Sequence, residues 1–67
     1  MEMHANDKGL TRREYEILEK ISLGLSHRDV ASTLFISPET VRKHVRNIYA
    51  KLNVNNKIAA INKVKLA

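Results

Sequence analysis

From Leu10 onwards one piece of punctuation recurs four times along the chain: an apolar residue, a Ser, Thr or Asn directly after it, and a second apolar residue five positions after the first. In helical terms the polar residue is an N-cap, whose side-chain oxygen accepts an otherwise unpaired backbone N–H, and the apolar pair is a staple closing over the first turn. Leu10, Thr11 and Tyr15 open the series, with Glu14 completing a T-x-x-E capping box. Leu25, Ser26 and Val30 repeat it, with Asp29 in the box position. Ile36, Ser37 and Val41 follow, with Pro38 in the first turn, where its missing N–H loses nothing. Val54, Asn55 and Ala59 form a fainter fourth copy. The pattern predicts four helices, over about 12–23, 27–34, 38–52 and 56–65, the first stopped by Gly24 in a left-handed conformation. The expected fold class is all-α.

Within these segments the apolar positions keep helical spacing: Ile17, Leu18, Ile21 and Leu25, then Val30, Ala31 and Leu34, then Val41, Val45, Ile48 and Leu52. Only Phe35 and Ile36 separate Leu34 from the cap Ser37. That is too little chain for antiparallel stacking, so the second and third helices must meet at a steep angle, as a helix-turn-helix. At about 100° per residue, Val41, Val45, Ile48 and Leu52 fall within an arc of about 60°. Glu39, Arg42, Lys43, Arg46, Asn47 and Ala50 cover the opposite side. The third helix thus has a dry face and a basic face.

Charge sharpens this picture. Up to Ile36 the chain carries five basic and six acidic residues, whereas from Ser37 on seven basic residues face a single acid, Glu39. One-sided positive charge is the electrostatic footprint of a nucleic-acid binder, although basic helices also serve as solvated faces or as surfaces for acidic partners. Arg42 and Arg46, one turn apart beside the small Ala50, favour the first reading, because Arg can donate a bidentate pair to guanine O6 and N7 in a major groove. The rival reading is a helical protein-interaction adaptor that turns the same face towards an acidic partner. At 67 residues the chain makes one modest core without room for a deep catalytic cleft, so no enzyme is expected. With no Cys and three scattered His (His4, His27, His44), neither a metal site nor a cofactor is expected. Met1 to Gly9 is polar and aperiodic and reads as a flexible leader or linker stub ahead of a domain at 10–67. No apolar run approaches the roughly 20 residues of a membrane span, and the chain is expected to be soluble and cytoplasmic.

The run LTRREYEILEKISLGLSHRDVASTLFISPETVRKHVRNIYAKLNV resembles the LuxR-type (GerE-like) DNA-binding domain, the output half of many response regulators. The resemblance covers about Leu10 to Val64. Its matching pieces are L-T-x-R-E-x-E-I-L, the Gly24 stop, S-x-x-D-V-A, I-S-x-x-T-V-R-x-H and K-L-x-V. The resemblance implies a four-helix domain of a bacterial transcription regulator that lays its third helix in the major groove and pairs through its fourth. It implies base contacts from Arg42, Lys43 and Arg46. Phosphate contacts would come from Thr40, Asn47 and Lys51, from Ser26, His27 and Arg28, and from Asn56 and Lys57. Double-stranded DNA is the implied partner, with a weak homodimer formed on it and RNA polymerase as a further partner. A sigma-factor promoter-reading domain shares the fold, but the string S-P-E-T-V-R-K-H fits the LuxR type better. Two positions depart from the family pattern. Asn53 stands where Gly is usual, and Asn accepts the left-handed conformation more readily than most residues. Asn55, Ile58 and Ala59 replace a more polar stretch and leave the fourth helix unusually apolar.

Winding the fourth helix sends Ala60, Ile61 and Val64 towards the core. Ile58, Ala59 and Leu66 fall on another side, with Asn62 and Lys65 between or beside them, as a dimerisation surface. His44 lies at the edge of the dry arc and reads as a packed, neutral side chain in preference to a phosphate ligand. The capping box accounts for Glu14, which lies on the apolar face of its helix. Tyr15, Phe35 and Tyr49 are scattered over three elements, form no stacking platform for single strands, and read as packed or partly exposed. Arg12 and Arg13 read as an exposed first turn.

Overall fold

The computed structural model describes residues 9–64. These form four helices and no strand: α1 (Arg12–Ser22), α2 (His27–Leu34), α3 (Pro38–Leu52) and α4 (Lys57–Val64). The leader read at 1–9 lies outside the described residues except for Gly9, as do Lys65 and Leu66 of the fourth-helix surface.

The first three helix starts are those the punctuation predicts. Thr11 Oγ1 accepts the Glu14 N–H at 3.1 Å, and Glu14 Oε1 accepts the Thr11 N–H at 3.0 Å in return. Ser26 and Asp29 form the same reciprocal pair at the start of α2. At α3, Ser37 Oγ accepts the Thr40 N–H at 3.1 Å, and Pro38 occupies the first turn.

The helix ends share a second device that makes the joints short. After α1 the Gly24 N–H donates to Ile21 O and the Leu25 N–H reaches back to Lys20 O, with Gly24 left-handed at φ 98°. After α2 the donors are Phe35 and Ile36, and after α3 they are Asn53 and Val54, each pair bonded to the same relative carbonyls. Phe35 and Asn53 take the left-handed place, both at φ 59°. This is the Schellman arrangement, in which two orphan carbonyls are satisfied and the following apolar residue folds back onto the helix. Leu25, Ile36 and Val54 all pack partly buried against the core. Leu25 and Ile36 thus end one helix and stand one residue before the cap of the next.

Three details differ from the sequence reading. Leu23 lies just past the end of α1 and is exposed. The fourth cap is Asn56 rather than Asn55: its Oδ1 accepts the Ala59 N–H at 2.8 Å and its carbonyl accepts the Ala60 N–H. Counted from the left-handed residue to the cap, the α3–α4 joint therefore holds one residue more than the other two, and Val54 and Ala59 are out of staple register. Phe35, read as packed or partly exposed, is 93% exposed.

The core is the expected stripe, closed by the last helix. Ile17, Val30, Val41, Ile48 and Ala60 are fully buried, one or more from every helix. α3 is the central element, packed against α1, α2 and α4. Its dry side is enclosed by the other three helices, so its remaining side is the one the fold presents outward.

Candidate nucleic-acid interface

The outward side of α3 carries Glu39, Arg42, Lys43, Arg46, Asn47 and Ala50, all exposed. Behind them Val41, Val45, Ile48 and Leu52 are buried, so the helix can neither roll nor retract without uncovering its core contacts. With 15 residues α3 is about 22 Å long, and an α-helix with its side chains is about as wide as the major groove of B-DNA. The guanidinium groups of Arg42 and Arg46 and the ammonium of Lys43 have no ion-pair partner among the described residues. They stand ready to donate outward.

The positions implied for phosphate contact divide into two kinds. Thr40 is half-buried, and its hydroxyl is engaged with that of Ser37 at 2.9 Å. Asn47 is exposed on α3. At the start of α2, Arg28 is exposed and His27 is half-buried, while the Ser26 hydroxyl oxygen accepts from Asp29 N–H. At the start of α4, Asn56 is occupied as a cap and also donates from Nδ2 to Asn55 Oδ1 at 3.1 Å; Lys57 beside it is exposed. Ser26 and Asn56 thus fix helix N-termini, whose free backbone N–H groups and dipole attract anions. The first turn of α4 contains no acid to oppose that field.

Lys51 belongs to the second kind, with a partner inside the chain. Its Nζ lies 2.7 Å from Glu14 Oε1, the same oxygen that closes the α1 capping box. Glu14 is 4% exposed, a carboxylate among core side chains. Burial by itself would raise its pKa. The Lys51 hydrogen bond, the Thr11 N–H and the positive charge of Lys51 outweigh that and hold it below its ordinary value. The sequence accounts for Glu14 through the cap alone, because its cation stands 37 positions away. His44 is half-buried as expected, with Nδ1 buried and without a hydrogen-bond partner among the described residues. Burial also raises the pKa of Tyr49, a half-buried neighbour of the core.

On α4, Ala60 and Val64 are buried and Ile61 is half-buried, whereas Ile58 is 62% exposed, Asn62 is exposed and Ala59 is half-buried. Ala60, Val64, Ile58 and Asn62 fall on the sides the winding predicts, whereas Ala59 is half-buried like Ile61.

A helix-turn-helix with a short joint and a basic outer face on its second helix defines a class, the DNA-binding domains of transcription regulators. Residues 8–64 match the family described as bacterial regulatory proteins, luxR family, and the chain belongs to it. That family is one of DNA-binding regulators rather than a class of enzyme. Among relatives, a nitrate/nitrite response regulator protein homolog of Haemophilus influenzae is 51% identical over 51 residues, 76% of this chain and 24% of its own length. The nitrate/nitrite response regulator protein NarP of Escherichia coli is 47% identical over 51 residues, with the same coverage of both chains. The transcriptional regulatory protein DegU of Brevibacillus brevis is 46% identical over 52 residues, 78% of this chain and 22% of its own. The chain therefore spans about a quarter of the length of these relatives. No solved structure gives a significant match. No helix among the described residues is long and apolar enough to cross a membrane.

Proposed function

We propose that the domain reads duplex DNA with α3 in the major groove, as the output part of a bacterial response regulator. Arg42, Lys43 and Arg46 face base edges. Thr40 and Asn47, the start of α2 at Ser26, His27 and Arg28, and the start of α4 at Asn56 and Lys57 hold the phosphates on either side. Two domains pair through the outer side of α4, around Ile58, Ala59 and Asn62 and onward to Lys65 and Leu66. Two-fold pairing calls for an inverted-repeat site, with half-site centres about 10 bp apart when both recognition helices meet the same face of the duplex. The whole regulator would act in the cytoplasm, at the nucleoid, with RNA polymerase as a further partner.

The observation that carries this reading is the outer face of α3, where three cations without partners among the described residues are backed by a fully packed dry side. Lys51 is the phosphate position with a competing task, since Glu14 already holds its ammonium. It contributes to phosphate binding only as far as its exposed stem lets it swing away.

Binding to matched and scrambled duplexes at several salt concentrations tests the proposal. Arg42→Ala or Arg46→Ala should lose about 1–3 kcal/mol on the matched site and relax the preference at particular base pairs. Lys57→Ala should weaken both duplexes alike and lower the salt slope by about one unit. Equal losses on matched and scrambled sites for both Arg variants would refute base reading and favour a generic basic surface, as an adaptor for an acidic partner would present.

A further inference from the structure

Glu39 is the one acid from Ser37 to the end of the sequence, and the cap at Ser37 places it at the second position of α3. It is exposed and forms no hydrogen bond or ion pair with any described residue, although Arg42 and Lys43 follow it by three and four positions on the same helix. An acid in a first turn is favoured by the helix dipole, and that alone would suit any side of the turn. The side it occupies is specific. At about 100° per residue, Glu39 lies within about 30° of the line directly opposite the buried stripe, closer to the middle of the outward face than Arg42, which is about 90° away. With α3 in a groove, this carboxylate points at the bases.

A carboxylate only accepts hydrogen bonds, so it has no favourable partner among phosphates, guanine O6 or N7, or thymine O4. The donors on the major-groove floor are the exocyclic amino groups, and Glu pairs with cytosine N4–H2. The rise from Glu39 to Arg42 is about 4.5 Å, a little more than one base-pair step, so the two side chains address neighbouring pairs. We propose that Glu39 is a specificity-determining residue of α3, which accepts from the N4 amino group of a cytosine next to the base pair read by Arg42 and rejects bases that show only acceptors there. This rests on the groove-bound placement of α3 proposed above.

Selection of bound duplexes from a random library, with the 67-residue chain and three variants, tests it. The unaltered chain should require cytosine at one position per half-site. Glu39→Gln should shift that position to adenine, whose N6 and N7 suit an amide, and leave the other positions as they were. Glu39→Ala should lower discrimination at that position about tenfold while binding to unrelated sequence tightens, because a negative charge has left the interface. Unchanged motifs for both Glu39 variants, or a uniform gain in affinity without a change of motif, would overturn the proposal and leave Glu39 as a charge that only tempers phosphate attraction. Arg46→Ala in the same selection separates the two levels. If it alters its own position while the Glu39 variants alter none, the groove placement stands and the Glu39 role falls. If it alters none either, or if the unaltered chain enriches no motif, both fall together.

Discussion

At the scale of single residues, Phe35 is the position where local chemistry and fold disagree. It holds a left-handed backbone at φ 59° that costs a residue with a Cβ about 1–2 kcal/mol, and its ring lies 93% exposed, contributing nothing to the core. Gly relieves the strain and returns part of the gain as unfolded-chain entropy. Phe35→Gly is therefore expected to stabilise the domain by about 0.5–1 kcal/mol, and each kcal/mol moves the melting temperature of so small a domain by about 4–8 °C. A lower melting temperature would mean that the ring packs in solution. Ser37 shows the opposite case, a residue whose role is legible from its neighbours. Its Oγ accepts the Thr40 N–H, so Ser37→Ala should cost about 1 kcal/mol in a thermal melt without DNA. Unchanged melting would deny it the cap.

At the scale of elements, the fold is built from joints of nearly constant design and one long-range clamp. Left-handed residue, apolar residue and cap follow one another directly at Gly24–Leu25–Ser26 and Phe35–Ile36–Ser37, which holds the ends of α1, α2 and α3 at fixed angles. The clamp is Glu14–Lys51, which ties the first turn of α1 to the last turn of α3. Because the folded carboxylate titrates below its ordinary value, its contribution is complete above the unfolded carboxylate's titration range and is lost as pH falls through the lowered folded value. Glu14→Gln keeps an oxygen for the Thr11 N–H but removes the charge. It should melt below the unaltered protein at neutral pH, with the gap closing as the solution is acidified through the lowered folded value. A gap independent of pH would show that the charge adds nothing to stability.

At the scale of the whole molecule, charge and apolar surface are segregated. α3 and α4 carry the excess positive charge, and α4 alone combines a core side with an exposed Ile58. In the proposed pairing one helix from each domain would bury less than about 1,200 Å², the range of weak association, so pairing through α4 should be seen on DNA and hardly in free solution. Ile58→Glu should leave the melting temperature nearly unchanged, since the side chain is 62% exposed, yet abolish cooperative binding to a duplex with two half-sites. Undiminished cooperativity would refute pairing through α4.

The order of residues alone carries the helix count, the first three caps, the Gly24 stop, the buried stripe and the basic outer face of α3. Each of these depends on groups within about one or two helical turns of one another, and such contacts leave a periodic trace in the order of residues. Only the tertiary structure decided that Asn56 rather than Asn55 caps α4, because two adjacent Asn offer the same chemistry and the register follows from how α4 docks Ala60 and Val64 into the core. It also showed Phe35 left-handed, in the place from which the Phe35 and Ile36 N–H groups reach back to Ser32 O and Ala31 O. It also paired Lys51 with Glu14, a contact across 37 positions, and set that cation apart from Arg42, Lys43 and Arg46, which have no ion-pair partner among the described residues. Long-range neighbours arise from packing several elements at once, and no local pattern in the chain encodes them.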